Sequence, residues 1–150
     1  MTLWIIKGIL FAVLLTIASF CDIRKREIPD EIPLCILLTG FLSVNMIEAS
    51  IGMFLTAIPY LLVAVLIEKE SGLSIGGGDI KLMGACGFVL GAPFGTLQSI
   101  ISLSLSLVVG MCVKASKSNS NWNQISLPLA PFFCVGGILS YSASILSFIN

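Results

Sequence analysis

Histidine is absent from this 150-residue chain. That removes histidine-based triads, imidazole metal ligands and histidine general bases together. Charge is scarce too. Only 11% of residues are Asp, Glu, Lys or Arg, where a soluble domain carries about 25%. Eight basic residues balance eight acidic ones, so nothing attracts nucleic acid in bulk and no such partner is expected. The five cysteines at 21, 35, 86, 112 and 134 form no CxxC pair and no zinc-ribbon spacing. They read as small buried hydrophobes. No metal and no cofactor is expected.

What the chain does have is apolar surface. Hydrophobic residues make up 57% of it, and the mean hydropathy is +1.06, which points to a membrane protein with the lipid bilayer as its surroundings. A crossing helix needs about 20 apolar residues. Ala18-Ser19-Phe20-Cys21 does not make a cleavage site, because Phe20 is bulky and the basic cluster follows the apolar run. The N-terminal run therefore reads as a retained membrane helix. The expected segments are Leu3–Phe20, Ile32–Ile47 and Ile51–Ile67, then Ile80–Leu90 and Phe94–Val113 divided at Gly91-Ala92-Pro93, then Leu127–Ile149. Residues 80–113 would reach about 50 Å as one helix, against about 30 Å of hydrocarbon, so the turn-like tripeptide is read as a break. The expected fold class is an all-α membrane protein, with about six transmembrane helices in one polytopic bundle. Residues 1–150 are expected to form a single domain.

Loop charge suggests an orientation. Arg24, Lys25 and Arg26 follow the first segment, Lys69 and Lys81 flank the third loop, and Lys114 and Lys117 follow the fifth segment. The positive-inside rule puts these alternate loops in the cytoplasm, with both termini outside. The opposite loops carry only Glu48.

Two carboxylates then stand out. Asp22 lies just past the first segment, and Asp79 lies at the start of the fourth, in "SIGGGDIKLMG". They are far apart in sequence, yet on the same side at similar depth. Like charges a few ångströms apart do not both ionise, so such a pair shares a proton. One partner then takes a proton from water while the other donates to the carbonyl under attack. No histidine, metal or nucleophilic side chain is needed. Gly76, Gly77 and Gly78 allow close backbone approach and the dihedrals of a loop entering a helix. Each feature also has a plainer account. Asp79 suits a helix N-cap, Asp22 beside Arg24 and Lys25 suits a membrane boundary, and glycines suit a tight turn. A phosphate-binding loop does not fit, since no Gly-Lys-Ser/Thr follows.

Taken together, the residues resemble a known family. Gly76-Gly77-Gly78-Asp79 matches the GxGD motif of intramembrane aspartic proteases, and "GGGDIKLMGACGFVLG" looks like the type 4 prepilin leader peptidases in particular. "DIRKREIPDEI", Asp22 to Ile32, is similar to the stretch that holds that family's first aspartate. "LPLAPFF", Leu127 to Phe133, is similar to its final-helix motif. The matches follow the family's order along essentially the whole chain. The resemblance implies an aspartic endopeptidase of the bacterial inner membrane with its active site facing the cytoplasm. Such enzymes remove the short basic leader from type IV prepilins or type II secretion pseudopilins. It implies Asp22 and Asp79 as the catalytic pair, and Gly76 and Gly78 as the glycines of GxGD. Bifunctional members also N-methylate the new N-terminus and carry an extra region with paired CxxC motifs. This chain starts at the helix before Asp22 and has no CxxC, so peptidase without methyltransferase activity, and without zinc, is expected.

Other residues complete the expectation. Lys81 is a candidate to hold Asp79 ionised or to orient substrate, and equally reads as a snorkelling lysine. Glu27, Asp30 and Glu31 are candidate contacts for a basic leader, or simply a solvated loop. Trp122 reads as an interfacial anchor. Gly136-Gly137, with Pro128 and Pro131, suit close packing or a bend of the last segment. A small transporter or proton-relay subunit stays open as a reading, because intramembrane acids also mark ion paths. A catalytically inactive relative stays open as well. The sequence does not set the oligomeric state.

Overall fold

The computed structural model describes residues 2–42, 45–71, 76–116 and 127–149. It is all-helical. The helices are α1 (Thr2–Lys25), α2 (Glu31–Gly40), α3 (Met46–Ser71), α4 (Gly77–Ser116) and α5 (Ala130–Ile149). Lys117 and Trp122 lie outside the described residues, as do the side chains of Lys69 and Lys114.

The helices pack inside-out by the standards of a soluble protein. Phe11, Leu15, Ile36, Met83, Cys86 and Phe133 form a buried core drawn from α1, α2, α4 and α5. Large apolar residues elsewhere stay outside: Ile9, Phe20, Leu62, Ile100 and Leu107 are each more than half exposed. Such a surface is stable against lipid. Four helices are long and apolar enough to cross a membrane.

The described residues show an all-α membrane protein with four long apolar helices, one of them broken, and one short helix, and do not show six crossings. The expected second segment, Ile32–Ile47, stops at Gly40, so α2 is only about 15 Å long. Its end is set locally. Thr39 Oγ1 donates back to the Ile36 carbonyl at 2.6 Å. Phe41 and Leu42 then close i→i−3 bonds on Leu38 and Thr39, the tight last turn of a terminating helix. A Cβ on Gly40 would lie 2.5 Å from the Phe88 ring, so glycine lets α2 seat on α4.

The break in α4 falls where the sequence puts it. Gly91 has φ 75° and ψ 178°, a conformation that is essentially glycine's alone. The chain doubles back there. A Cβ on Gly95 would lie 3.2 Å from the Gly87 Cα, although eight residues of straight helix span about 12 Å. α4 thus has a short first arm, 77–90, and a longer second arm, 92–116. Helix α3 closes on the hairpin through Gly52, which meets the Gly87 carbonyl and the Gly91–Ala92 backbone. Thr56 Oγ1 donates to the Met83 carbonyl at 2.9 Å. Gly87 and Gly95 make these close approaches possible.

Helix α5 lies between α1 and α4. A Cβ on Gly137 would fall 2.6 Å from Leu15. Gln98 Nε2 donates to the Phe133 carbonyl at 3.1 Å, and Ser102 Oγ to the Phe132 carbonyl at 3.0 Å. The glycine pair serves close packing, as one of its two expected uses.

Candidate active site

Helix α1 runs a turn further than hydropathy suggests, so Asp22 sits in its last turns and not beyond it. The helix then ends through Arg26, which takes φ 55° and donates its N–H to the Asp22 carbonyl at 2.8 Å. This is an αL C-cap made without glycine. It swings the chain toward α4. Arg24 and Lys25 in the last turn suit the negative end of the helix.

The turned chain lands on the glycine loop. A Cβ on Gly78 would lie 3.2 Å from the Ile28 Cβ and 3.4 Å from the Ile28 carbonyl oxygen. A Cβ on Gly76 would reach Asp79 Oδ2 at 3.4 Å, while nothing lies within 4 Å of one on Gly77. Gly78 is thus the constrained position, Gly76 is in ordinary contact, and Gly77 is open. Helix α4 starts at Gly77. Asp79 is its third residue, with its N–H donating to the Gly76 carbonyl at 3.0 Å. Asp79 is therefore not the N-cap, and its buried Oδ1 has no hydrogen-bond partner. Capping does not account for this carboxyl.

Asp22 is differently held. It is 7% exposed, and its Oδ2 accepts the backbone N–H of Ala130 at 2.9 Å. Ala130 opens α5, where free N–H groups and the helix dipole favour an anion. Pro131 in the first turn suits that start, since its missing N–H would have no partner there. The hydrophobic residues of "LPLAPFF" gave no hint of this contact. The prolines framing a helix start are the signal that was available.

Asp22 lies within electrostatic reach of Asp79. Tyr60 of α3, stacked edge-on against Phe133 at 5.8 Å, also lies within reach of Asp79; it was not singled out from sequence. The remaining candidates stand apart. Lys81 Nζ binds both oxygens of Asp30 at 2.7 and 2.8 Å, so its ion pair is with the α1–α2 loop. Asp30 precedes α2 without capping it through its side chain. Glu27 and Glu31 are exposed in the same loop and at the start of α2. No group of three or more metal-ligating side chains occurs among the described residues. An apolar groove of about 480 Å³, lined by Leu103, Leu107, Gly110, Leu127 and Leu129, opens beside the start of α5.

Residues 9–114 match the model of the type IV leader peptidase family. The chain is also 30% identical, over 154 aligned residues, to a protein of Bacillus subtilis (strain 168) named prepilin leader peptidase/N-methyltransferase. That alignment takes in 98% of this chain and 60% of the relative's length. No solved structure matches the chain significantly.

Proposed function

The chain belongs to the type IV leader peptidase family, and from that premise we propose that it is an aspartic endopeptidase. Its substrates are type IV prepilins or type II secretion pseudopilins, cut at the basic leader. Asp22 and Asp79 are the catalytic pair, and they work at the cytoplasmic face of the inner membrane. The observation that carries the reading is that Asp22 lies within electrostatic reach of Asp79. The Asp79 Oδ1 without a partner adds to it.

The chemistry follows from the two settings. The pair shares one proton. Asp79 has an open acceptor position for water, while Asp22 is fixed by the α5 N-terminus. Water attacks the scissile carbonyl as one carboxylate takes its proton; the other carboxyl donates to the carbonyl oxygen, and a proton then passes to the leaving amine. The apolar groove beside α5 suits a hydrophobic stretch of substrate next to the cut. Arg24, Lys25 and Lys81 stand at this same end, which supports its cytoplasmic placement.

The test is co-expression with a prepilin, following leader removal by gel and mass spectrometry. Wild type is expected to cut. Asp22→Asn and Asp79→Asn are expected to accumulate in the membrane and not to cut. Normal cleavage by either variant overturns the reading.

A further inference from the structure

Helix α3 turns one narrow face to the protein. From residue 51 to residue 65 only Gly52, Thr56, Tyr60 and Ala64 are buried, a four-residue step that follows a single stripe of a helix. The stripe runs antiparallel to the first arm of α4. A Cβ on Gly52 would strike the Gly87 carbonyl, and Thr56 Oγ1 donates to the Met83 carbonyl. Four residues forward on α3 thus match four residues back on α4. The next step in this register sets Tyr60 opposite Asp79. Pro59 does not disturb it, because Tyr60 lies within electrostatic reach of Asp79.

Tyr60 is also tied to the Asp22 side. Its ring meets the Phe133 ring edge-on, and Phe133 lies three residues after Ala130, whose N–H holds Asp22. Residues three apart share a helix face. Tyr60 is only 6% exposed, and its hydroxyl has no hydrogen-bond partner among the described residues. Ser99 lies close enough to influence that hydroxyl but outside bonding geometry, and its own hydroxyl donates to the Gly95 carbonyl at 3.1 Å. Asp79 Oδ1 is likewise buried without a partner. Two orphaned polar atoms therefore belong to residues that face each other.

Their chemistry is complementary. A carboxylate accepts, and a phenol, which ordinarily ionises at about pH 10, donates. A donor bonded to the attacking water would draw on its lone pair and weaken the attack. A donor bonded to the carbonyl oxygen draws charge off the carbon under attack and stabilises the oxyanion that forms. That oxygen has lone pairs for two donors, one from a carboxyl and one from a phenol.

We propose that the Tyr60 hydroxyl donates a hydrogen bond to the oxygen of the scissile carbonyl and holds it through the tetrahedral intermediate. The phenol keeps its proton throughout. The proposal rests on the aspartic endopeptidase reading and gives that site a third working residue.

Steady-state cleavage of a prepilin by the full chain in membranes tests it, with wild type, Tyr60→Phe, Ser99→Ala and Asp79→Asn side by side. Tyr60→Phe keeps the ring against Phe133 and removes only the hydroxyl. It is expected to accumulate with an unchanged thermal midpoint. Its kcat is expected to fall by about 10²–10³-fold, the usual effect of removing one such donor, with KM nearly unchanged. Ser99→Ala is expected to cut normally. If Tyr60→Phe keeps the wild-type kcat while Asp79→Asn does not cut, the proposal falls and the aspartate reading stands. Equal slowing by Ser99→Ala also overturns the proposal, by making the hydroxyl a brace between α3 and α4. So does a raised KM without loss of kcat, or failure of Tyr60→Phe to accumulate, since either makes Tyr60 a packing residue. If wild type cuts no prepilin, or Asp79→Asn cuts normally, the proposal and the reading fall together.

Discussion

Asp22 and Asp79 approach each other from surroundings built on opposite plans. Asp22 is buried on a long helix and tied through Ala130 to the start of another. Asp79 lies one turn into a helix, behind three glycines, with a buried oxygen that bonds to nothing. The difference separates two jobs. Removing Asp22 takes away a link between α1 and α5. Removing Asp79 takes away no hydrogen bond through Oδ1.

The largest expected effect treats the two alike. Asp22→Asn and Asp79→Asn should each lower prepilin cleavage by roughly 10²–10⁴-fold, the usual contribution of a positioned acid or base. Single-turnover cleavage with purified enzyme measures this. Alanine then pulls the two apart. Asp22→Ala leaves the Ala130 N–H buried and unpaired and should cost about 1–3 kcal/mol. Asp79→Ala should change stability by less than about 1 kcal/mol. Denaturant unfolding in micelles compares them. Equal losses would erase the distinction.

The glycines sharpen the comparison at the Asp79 end. A methyl at Gly78 meets Ile28 at 3.2 Å, while one at Gly77 meets nothing. Gly78→Ala should therefore push the α1–α2 loop off the start of α4, with a stability loss of about 1 kcal/mol and slower cleavage. Gly77→Ala occupies a first helical turn and should hold or gain up to about 1 kcal/mol. Cleavage rate and thermal midpoint of the two variants give the answer. Matching behaviour would show that the loop is not read residue by residue.

Much of this was legible because hydropathy and turn residues act locally. The break at Gly91-Ala92-Pro93 could be read from composition, since few other residues tolerate that backbone. The candidate aspartates could be read because ionised groups are rare in so apolar a chain. The end of α2 could not: local hydrogen bonds at Thr39, Phe41 and Leu42 stop the helix inside an apolar run, and the need for glycine at position 40 comes from the Phe88 ring, 48 residues further on. The Ala130 contact was hidden for the same reason. A backbone N–H has no signature in sequence, and its importance comes only from the carboxylate that tertiary packing brings to it.

The smallest expected effect concerns the clasp over this end, Lys81 to Asp30. It is short, at 2.7 Å, yet its side chains are 57% and 71% exposed. An exposed pair contributes at most about 1 kcal/mol and weakens with salt. Lys81→Gln and Asp30→Asn should thus leave stability nearly unchanged. Their effect on cleavage separates two roles for the loop. If Asp30 receives a basic leader by giving up Lys81, Lys81→Gln should strengthen substrate binding while Asp30→Asn weakens it, and both effects should shrink at high salt. If the pair only holds Ile28 against Gly78, both variants should slow cleavage alike. A double-mutant cycle on KM and kcat at low and high salt distinguishes these outcomes. Opposite signs make the loop part of the substrate site, and equal signs leave it a brace for Asp79.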